Sequence, residues 1–278
     1  MPSGLNGLGV STADLDGDHR PDLFVAGSNR LFLNTGGRFS EAGGQEFTWT
    51  LYGNEDDPAG VSAWDLDGDG RIDLVIGQHF NSTIDGGRAV PVRVYANRGP
   101  GDGRAVRFED VTDTAGLVGL RTKSPHVEVT DVDADGRPDL VTTAVAGPTS
   151  PVVFRNVSTP GSFRFEPVAA PGGPAYWVTG TTLDADHDGA AEIFLGEWYP
   201  TKPSLLLSVT GTRGHWLVVE VGKAGSAGVG AEVSVYRAGA LGQESALLGR
   251  TQIAASAGYA GGAEPVARFG LGLPPRST

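Results

Sequence analysis

Asp65-Leu66-Asp67-Gly68-Asp69-Gly70-Arg71-Ile72-Asp73 decides how the rest of this chain is read. Carboxylates stand at positions 1, 3, 5 and 9 of this loop, with glycines where the backbone has to curl. Four acidic side chains on nine residues repel one another unless a cation sits among them. A hard divalent ion with oxygen ligands fits, and the backbone carbonyl of Arg71 at position 7 completes the ring. Calcium suits so flexible a ring better than magnesium, which demands near-octahedral geometry.

The pattern occurs four times. Its first copy runs Asp14-Leu15-Asp16-Gly17-Asp18-His19-Arg20-Pro21-Asp22, and its third Asp131-Val132-Asp133-Ala134-Asp135-Gly136-Arg137-Pro138-Asp139. The fourth, Asp184-Ala185-Asp186-His187-Asp188-Gly189-Ala190-Ala191-Glu192, ends on glutamate. The predicted ligands are these carboxylates together with the carbonyls of Arg20, Arg71, Arg137 and Ala190, enough for up to four calcium ions. One acidic loop reads equally well as solvated surface, but four with a common spacing favour metal.

Each loop lies between two short runs of β-forming residues. Gly9–Ala13, Gly60–Trp64, His126–Thr130 and Val178–Leu183 precede the loops; Leu23–Gly27, Leu74–Gly77, Leu140–Ala144 and Ile193–Gly196 follow them. These runs are too short for helical periodicity and read as hairpin strands. An EF-hand is excluded, because its glutamate at loop position 12 is replaced by Val25, Ile76, Thr142 and Leu195. A third strand ends three times on asparagine, at Asn34, Asn97 and Asn156. A fourth follows with Arg38-Phe39-Ser40-Glu41, Arg107-Phe108-Glu109-Asp110 and Arg164-Phe165-Glu166.

First aspartates are spaced 51, 66 and 53 residues apart, so one four-stranded unit recurs about every fifty residues. That is the signature of a β-propeller blade. The expected fold is all-β, a propeller-type array over residues 1–209, followed by a small β domain over 210–278 without acidic loops.

The units resemble FG-GAP repeats, which occur in integrin alpha chains and many bacterial surface proteins and carry calcium in a blade hairpin. The resemblance implies a calcium-binding interaction module with a protein or glycan ligand, placed outside the cell, at its surface or in the periplasm. The fourth unit departs from the pattern, since Ser204–Ser208 lacks the terminal asparagine and any following Arg-Phe. His215-Trp216-Leu217-Val218-Val219, the Gly-Tyr at 258–259 and Phe269-Gly270-Leu271-Gly272 resemble the ASPIC/UnbV domain. That domain follows FG-GAP repeats in the cartilage acidic protein family and its bacterial relatives. Because UnbV proteins are encoded beside enediyne polyketide genes, the resemblance also implies a rival role: a tailoring or cyclising enzyme acting on a small natural product in an axial pocket.

Propellers of this type mostly carry seven blades, and four are visible. The ring therefore closes on four, is completed by the C-terminal strands or a second chain, or is a fragment. The C-terminal domain is expected to pack on the fourth unit, with His215–Val221 supplying its missing outer strand.

The formal charge of −12 belongs mainly to the loops, which hold 16 of the 33 acids, and four divalent ions would bring it to −4. No basic stripe favours nucleic acid. Without cysteine there is no disulfide or zinc-thiolate site. No apolar run is long enough to span a membrane as a helix. The first residues lack the basic and apolar regions of a leader, which leaves a cytoplasmic location open. No nucleophile elbow or phosphate-cradling loop occurs. His126 and Glu128, two apart on a strand and so on one face, are acid–base candidates, although a packed, hydrogen-bonded strand histidine is the favoured reading, and glycosidase-type carboxylate pairs stay open. His79, Trp177, Trp198 and Tyr199 could line a pocket with them, whereas His19 and His187 are expected to face solvent.

Overall fold

The computed structural model describes residues 5, 7–44, 47, 58–78, 92–117, 126–142, 152–168, 177–187, 191–197, 205–208, 214–222, 228–254, 259 and 261–272. Its architecture is built from small antiparallel sheets. The first unit comprises β1 (Gly9–Ala13), β2 (Asp22–Ala26), β3 (Arg30–Asn34) and β4 (Phe39–Glu41), hydrogen-bonded in sequence order. The second repeats this order with β5 (Pro58–Trp64), β6 (Asp73–Gln78), β7 (Val92–Asn97) and β8 (Phe108–Asp110). A single helical turn follows it at Thr112–Ala115. The third unit is β9 (Val127–Thr130), β10 (Asp139–Thr142), β11 (Val153–Asn156) and β12 (Phe165–Pro167). The fourth contains three strands among the described residues, β13 (Trp177–Leu183), β14 (Glu192–Glu197) and β15 (Leu205–Ser208).

Strand register fixes where each acidic loop begins and ends. The last ladder pairs before the loops are Ala13 with Asp22, Trp64 with Asp73, Thr130 with Asp139 and Leu183 with Glu192. The position-9 acid is therefore the first residue of the returning strand, and its backbone is held by the sheet. All four loops are hairpin tips, as the flanking sequences required.

The strands of the middle units are apolar on both faces, and the two faces serve different cores. On β6, Leu74 and Ile76 join Phe24, Leu31, Phe47 and Tyr95 between units one and two. Val75, pointing the other way as the period of two requires, joins Val94, Val127, Leu140 and Phe154 between units two and three. The same division recurs on β11, where Phe154 faces unit two and Val153 packs with Ile193 and Leu195 of unit four. Phe47 meets Phe24 and Tyr95 edge-on at centroid distances of 5.0 and 5.1 Å. First strands of successive units lie side by side, β1 along β5 and β5 along β9. Ser62 on β5 donates to the Val127 carbonyl at 3.0 Å.

The C-terminal segment forms two ribbons: β16 (His215–Val219) with β19 (Ala267–Gly272), and β17 (Glu232–Tyr236) with β18 (Leu247–Gln252). This corrects one expectation. His215–Val219 does not complete the fourth unit; among the described residues it pairs with β19, Leu217 opposite Phe269 and Val219 opposite Ala267. Phe269, Ala267 and Ile253 close a small core of their own against Val219, Val233 and Val235, which β16 could not join from the edge of unit four.

Candidate metal centres

The second loop shows how the sequence builds a carboxylate nest. Gly68 and Gly70 take left-handed φ angles of 76° and 86°, which turns successive amides inward. Asp65 collects them: Oδ1 accepts from the amides of Gly68 and Asp69 at 2.9 and 3.1 Å, and Oδ2 from Gly70 at 2.9 Å. Loop one repeats this on Asp14, with amides of Gly17, Asp18 and His19, and loop three on Asp131, with amides of Asp135 and Gly136. Non-glycine residues fill the same left-handed positions at His19, Ala134 and His187. The His19 side chain is 81% exposed and His187 is exposed as well, as expected.

The position-9 acid is a brace. Asp73 accepts from the Leu66 amide at 2.9 Å and from the Asn97 amide at 2.8 Å, tying loop entry to the end of the third strand. Asp22 and Asp139 make the equivalent pairs with Leu15 and Asn34, and with Val132 and Asn156. Glu192 accepts from Ala185 at 2.8 Å.

Two positions missed at the sequence level complete the device. Arg20, Arg71 and Arg137 were expected to lend only a carbonyl. Each guanidinium instead binds the position-5 aspartate of its own loop, Asp18, Asp69 or Asp135. Each Nε also donates to the carbonyl of Asn34, Asn97 or Asn156, at 2.8 to 2.9 Å. The asparagines themselves link units. Asn97 Nδ2 donates to Leu15 O of the preceding unit at 2.8 Å, and Asn156 Nδ2 to Leu66 O at 2.8 Å. The recurrence of both residue types at fixed offsets was the available signal.

Among the described residues the structure brings three carboxylates together in each loop, and in loops one to three the fourth stands apart from the group. Asp65, Asp67 and Asp73 each offer an oxygen within 4.8 Å of the others, as do Asp131, Asp133 and Asp139. Loop one groups Asp14, Asp16 and Asp18, and loop four Asp184, Asp186 and Glu192. Asp69 and Asp135 fall outside their groups and carry the arginine bonds, while Asp22 is turned to the amides of Leu15, Asp16 and Asn34. Asp188 and Ala190 lie outside the described residues.

These groups could hold a metal ion. Burial, the largest effect, pushes the carboxyls of Asp22, Asp65 and Asp131 up to about 6 and that of Asp139 to about 8. Asp73 is raised well above the usual range for the same reason. Neighbouring aspartates add to the rise and the donated amides oppose it. Asp133 Oδ2 meets Arg155 Nε at 2.8 Å, but its buried Oδ1 has no hydrogen-bond partner. An orphaned carboxylate oxygen facing two more acids is what a cation site offers.

The other candidates sit on the first strands. His126 and Glu128 are buried on one face of the strand, Nε2 to Oε2 at 3.6 Å. His126 Nδ1 lies 3.2 Å from the Tyr259 carbonyl, and a β-carbon on Gly261 would fall 2.2 Å from the ring, so the C-terminal segment presses directly on it. Glu128 Oε1 accepts from the amide and hydroxyl of Thr182. Beside Glu128 a cavity of about 100 Å³ is lined by Thr12, Ser62, Thr130, Thr182, Glu264 and Arg268. His79, Trp198, Tyr199 and the side chain of Trp177 lie outside the described residues.

A family model for the FG-GAP-like repeat matches over residues 14–76, 65–142 and 131–195. Every match opens on a position-1 aspartate and ends on the returning strand of the next hairpin, so its unit of recognition is the loop-to-loop repeat described above. No curated protein matches the chain. With its repeats continuous from 14 to 195 of 278 residues, the chain belongs to the FG-GAP-like repeat family.

Proposed function

We propose that this protein is a calcium-stabilised, propeller-like interaction module acting outside the cytoplasm, with a protein or glycan as its partner. The carrying observation is the recurrence of convergent carboxylate triads, largely buried in loops two and three, at hairpin tips that are hydrogen-bonded to the neighbouring unit. Asp65, Asp67 and Asp73, and Asp131, Asp133 and Asp139, would hold two ions and Asp14, Asp16 and Asp18 a third; Asp184, Asp186 and Glu192 bring the same three-carboxylate geometry to the fourth loop. Bound calcium supplies the positive charge that these acids otherwise lack. The chain's own residues do the rest: the left-handed positions aim amides at position 1, the position-9 acids brace the third strand, and in loops two and three the arginines hold position 5 aside.

Interaction is favoured over catalysis because the first strands, where an axial pocket would lie, are covered by the C-terminal segment. His126 is fully buried there, and the remaining cavity of about 100 Å³ is small for a natural-product substrate. Resemblance of the C-terminal lobe to ASPIC/UnbV domains fits a module of this kind, with the lobe as a second recognition surface. Exposure of Trp216, Leu217 and Leu271 on β16 and β19 supports that reading and leaves room for self-association.

Thermal unfolding with millimolar calcium and with excess chelator tests the proposal. Saturation at a hundred times the dissociation constant adds about 2.7 kcal/mol per independent site, so the melting temperature should rise by several degrees. Identical melting curves in the two conditions would refute the structural role of calcium.

A further inference from the structure

We infer that the fourth loop is not a calcium site in the native protein, because Arg268 of the C-terminal lobe serves as its cation; the chain then binds three calcium ions and latches the lobe through the fourth loop. This rests on the calcium reading of loops one to three.

Loop four lacks the local parts that free the other loops for metal. Ala190 stands where Arg20, Arg71 and Arg137 stand, and its third strand ends on Ser208 instead of asparagine. No clamp of the kind seen in loops one to three can form. A guanidinium arrives from elsewhere: Arg268 Nη1 lies 3.4 Å from Asp184 Oδ2, and Nη2 binds Glu264. The Arg268 side chain is 14% exposed and that of Asp184 7%, so the pair is largely removed from water. Its target matters more than its presence. In loops one to three the arginine takes position 5, and no arginine touches Asp14, Asp65 or Asp131 among the described residues. In loop four it takes position 1, the residue that elsewhere gathers the loop's amides.

Guanidinium groups also touch a triad carboxylate in loop one, Arg20 on Asp18, and in loop three, Arg155 on Asp133, but those arginine side chains are 46% and 42% exposed and water screens them. Arg268 is 14% exposed and sits on position 1, so its charge opposes a second, divalent one a few ångströms away with far less screening. The ligand geometry is otherwise intact, since Asp184, Asp186 and Glu192 still converge within 4.8 Å. Removing the guanidinium should therefore open a site. Arg268 is also well anchored, because β19 rests on loop three at Gly270, where a β-carbon would fall 1.8 Å from Asp131 Oδ2.

Calcium counted on the full chain by native mass spectrometry and calorimetry tests this. The unaltered protein should bind three ions, Asp65→Asn two, Asp184→Asn still three, and Arg268→Gln four. Four ions on the unaltered protein, falling to three in Asp184→Asn, would overturn the inference. The latch has an independent readout in chelator, namely hydrogen exchange of β16 and β19. Arg268→Gln and Asp184→Asn should each speed exchange, and the double variant should add little to either. Additive effects would overturn the latch. No bound calcium on any variant would sink the calcium reading of the other loops, while the exchange cycle would still decide the latch.

Discussion

Asn97 and Asn34 occupy the same place in consecutive units, and replacing each by alanine separates local from inter-unit stabilisation. Asn97 is 3% exposed and makes three bonds: Nδ2 to Leu15 O at 2.8 Å and to Ile72 O at 3.0 Å, and Oδ1 from the Gly99 amide at 2.8 Å. Alanine strands two carbonyls and an amide where Leu15 and the adjoining core exclude water. At roughly 1 kcal/mol for each net hydrogen bond, with desolvation raising the cost of buried ones, the loss is about 2–4 kcal/mol. For a chain of this size that lowers the melting temperature by about 5–12 °C. Asn34 holds Pro21 O and the amides of Gly36 and Gly37, all near the surface, and among the described residues its side chain bonds only within its own unit. Water can replace those partners, so Asn34→Ala should cost about 1 kcal/mol or less. Both variants are to be melted at saturating calcium, so that altered metal affinity does not enter. Asn156→Ala, which strands Leu66 O, Pro138 O and the Ser158 amide, should track Asn97→Ala. Equal losses for Asn34→Ala and Asn97→Ala would show that the bond to the preceding loop carries nothing.

Two further outcomes follow from the same loops. Carboxyls raised to about 6 at Asp22, Asp65 and Asp131 and to about 8 at Asp139, against 3.8 unfolded, mean that the native metal-free protein binds more protons than the unfolded chain. Its stability should fall as pH rises through about 4 to 8, so melting in chelator should occur higher at pH 5.5 than at pH 8, and calcium should stabilise more at pH 8; a metal-free melting temperature flat across that window contradicts the burial of these acids. Leu66→Ala removes a side chain 1% exposed in the core between units two and three, and should cost about 2–4 kcal/mol by chemical denaturation; a loss below about 1 kcal/mol would deny that loop position 2 is a core anchor.

The hairpins and their loops were legible because every signal lay within one unit. Carboxylate spacing, flanking β-branched residues and the terminal asparagines all sit within a single unit, and the register reproduced each boundary closely. What stayed hidden was long-range. Asn97 reaches Leu15 across 82 residues and Asn156 reaches Leu66 across 90, which a pattern inside one unit cannot reveal. The role of arginine at position 7 was visible as a repeat but read only through its backbone. His215–Val219 was misplaced for a related reason: five β-forming residues state that a strand exists, not which edge accepts it. Its partner, Ala267–Gly272, comes some fifty residues later and is chosen by the small core around Phe269.

The asparagine bonds run in one direction along the chain, and this explains where the C-terminal lobe sits. Loop one is held by Asn97 of unit two, and loop two by Asn156 of unit three. Loop three would need the same from unit four, whose third strand ends on Ser208, and loop four has no following repeat at all. Those are the two loops that β19 meets, Gly270 against the backbone of Ala134 and Gly136, and Arg268 against Asp184. Arg250 adds a bond to Gly70 O at 3.2 Å and Glu232 comes within 4.8 Å of Asp14 and His19, so the lobe spans the loop face from the first unit to the fourth. The lobe thus stands where the next repeat's asparagine would, supplying backbone packing to one loop and a guanidinium to the other. Without the lobe, loops three and four would lack the cross-unit contact that Asn97 and Asn156 give loops one and two.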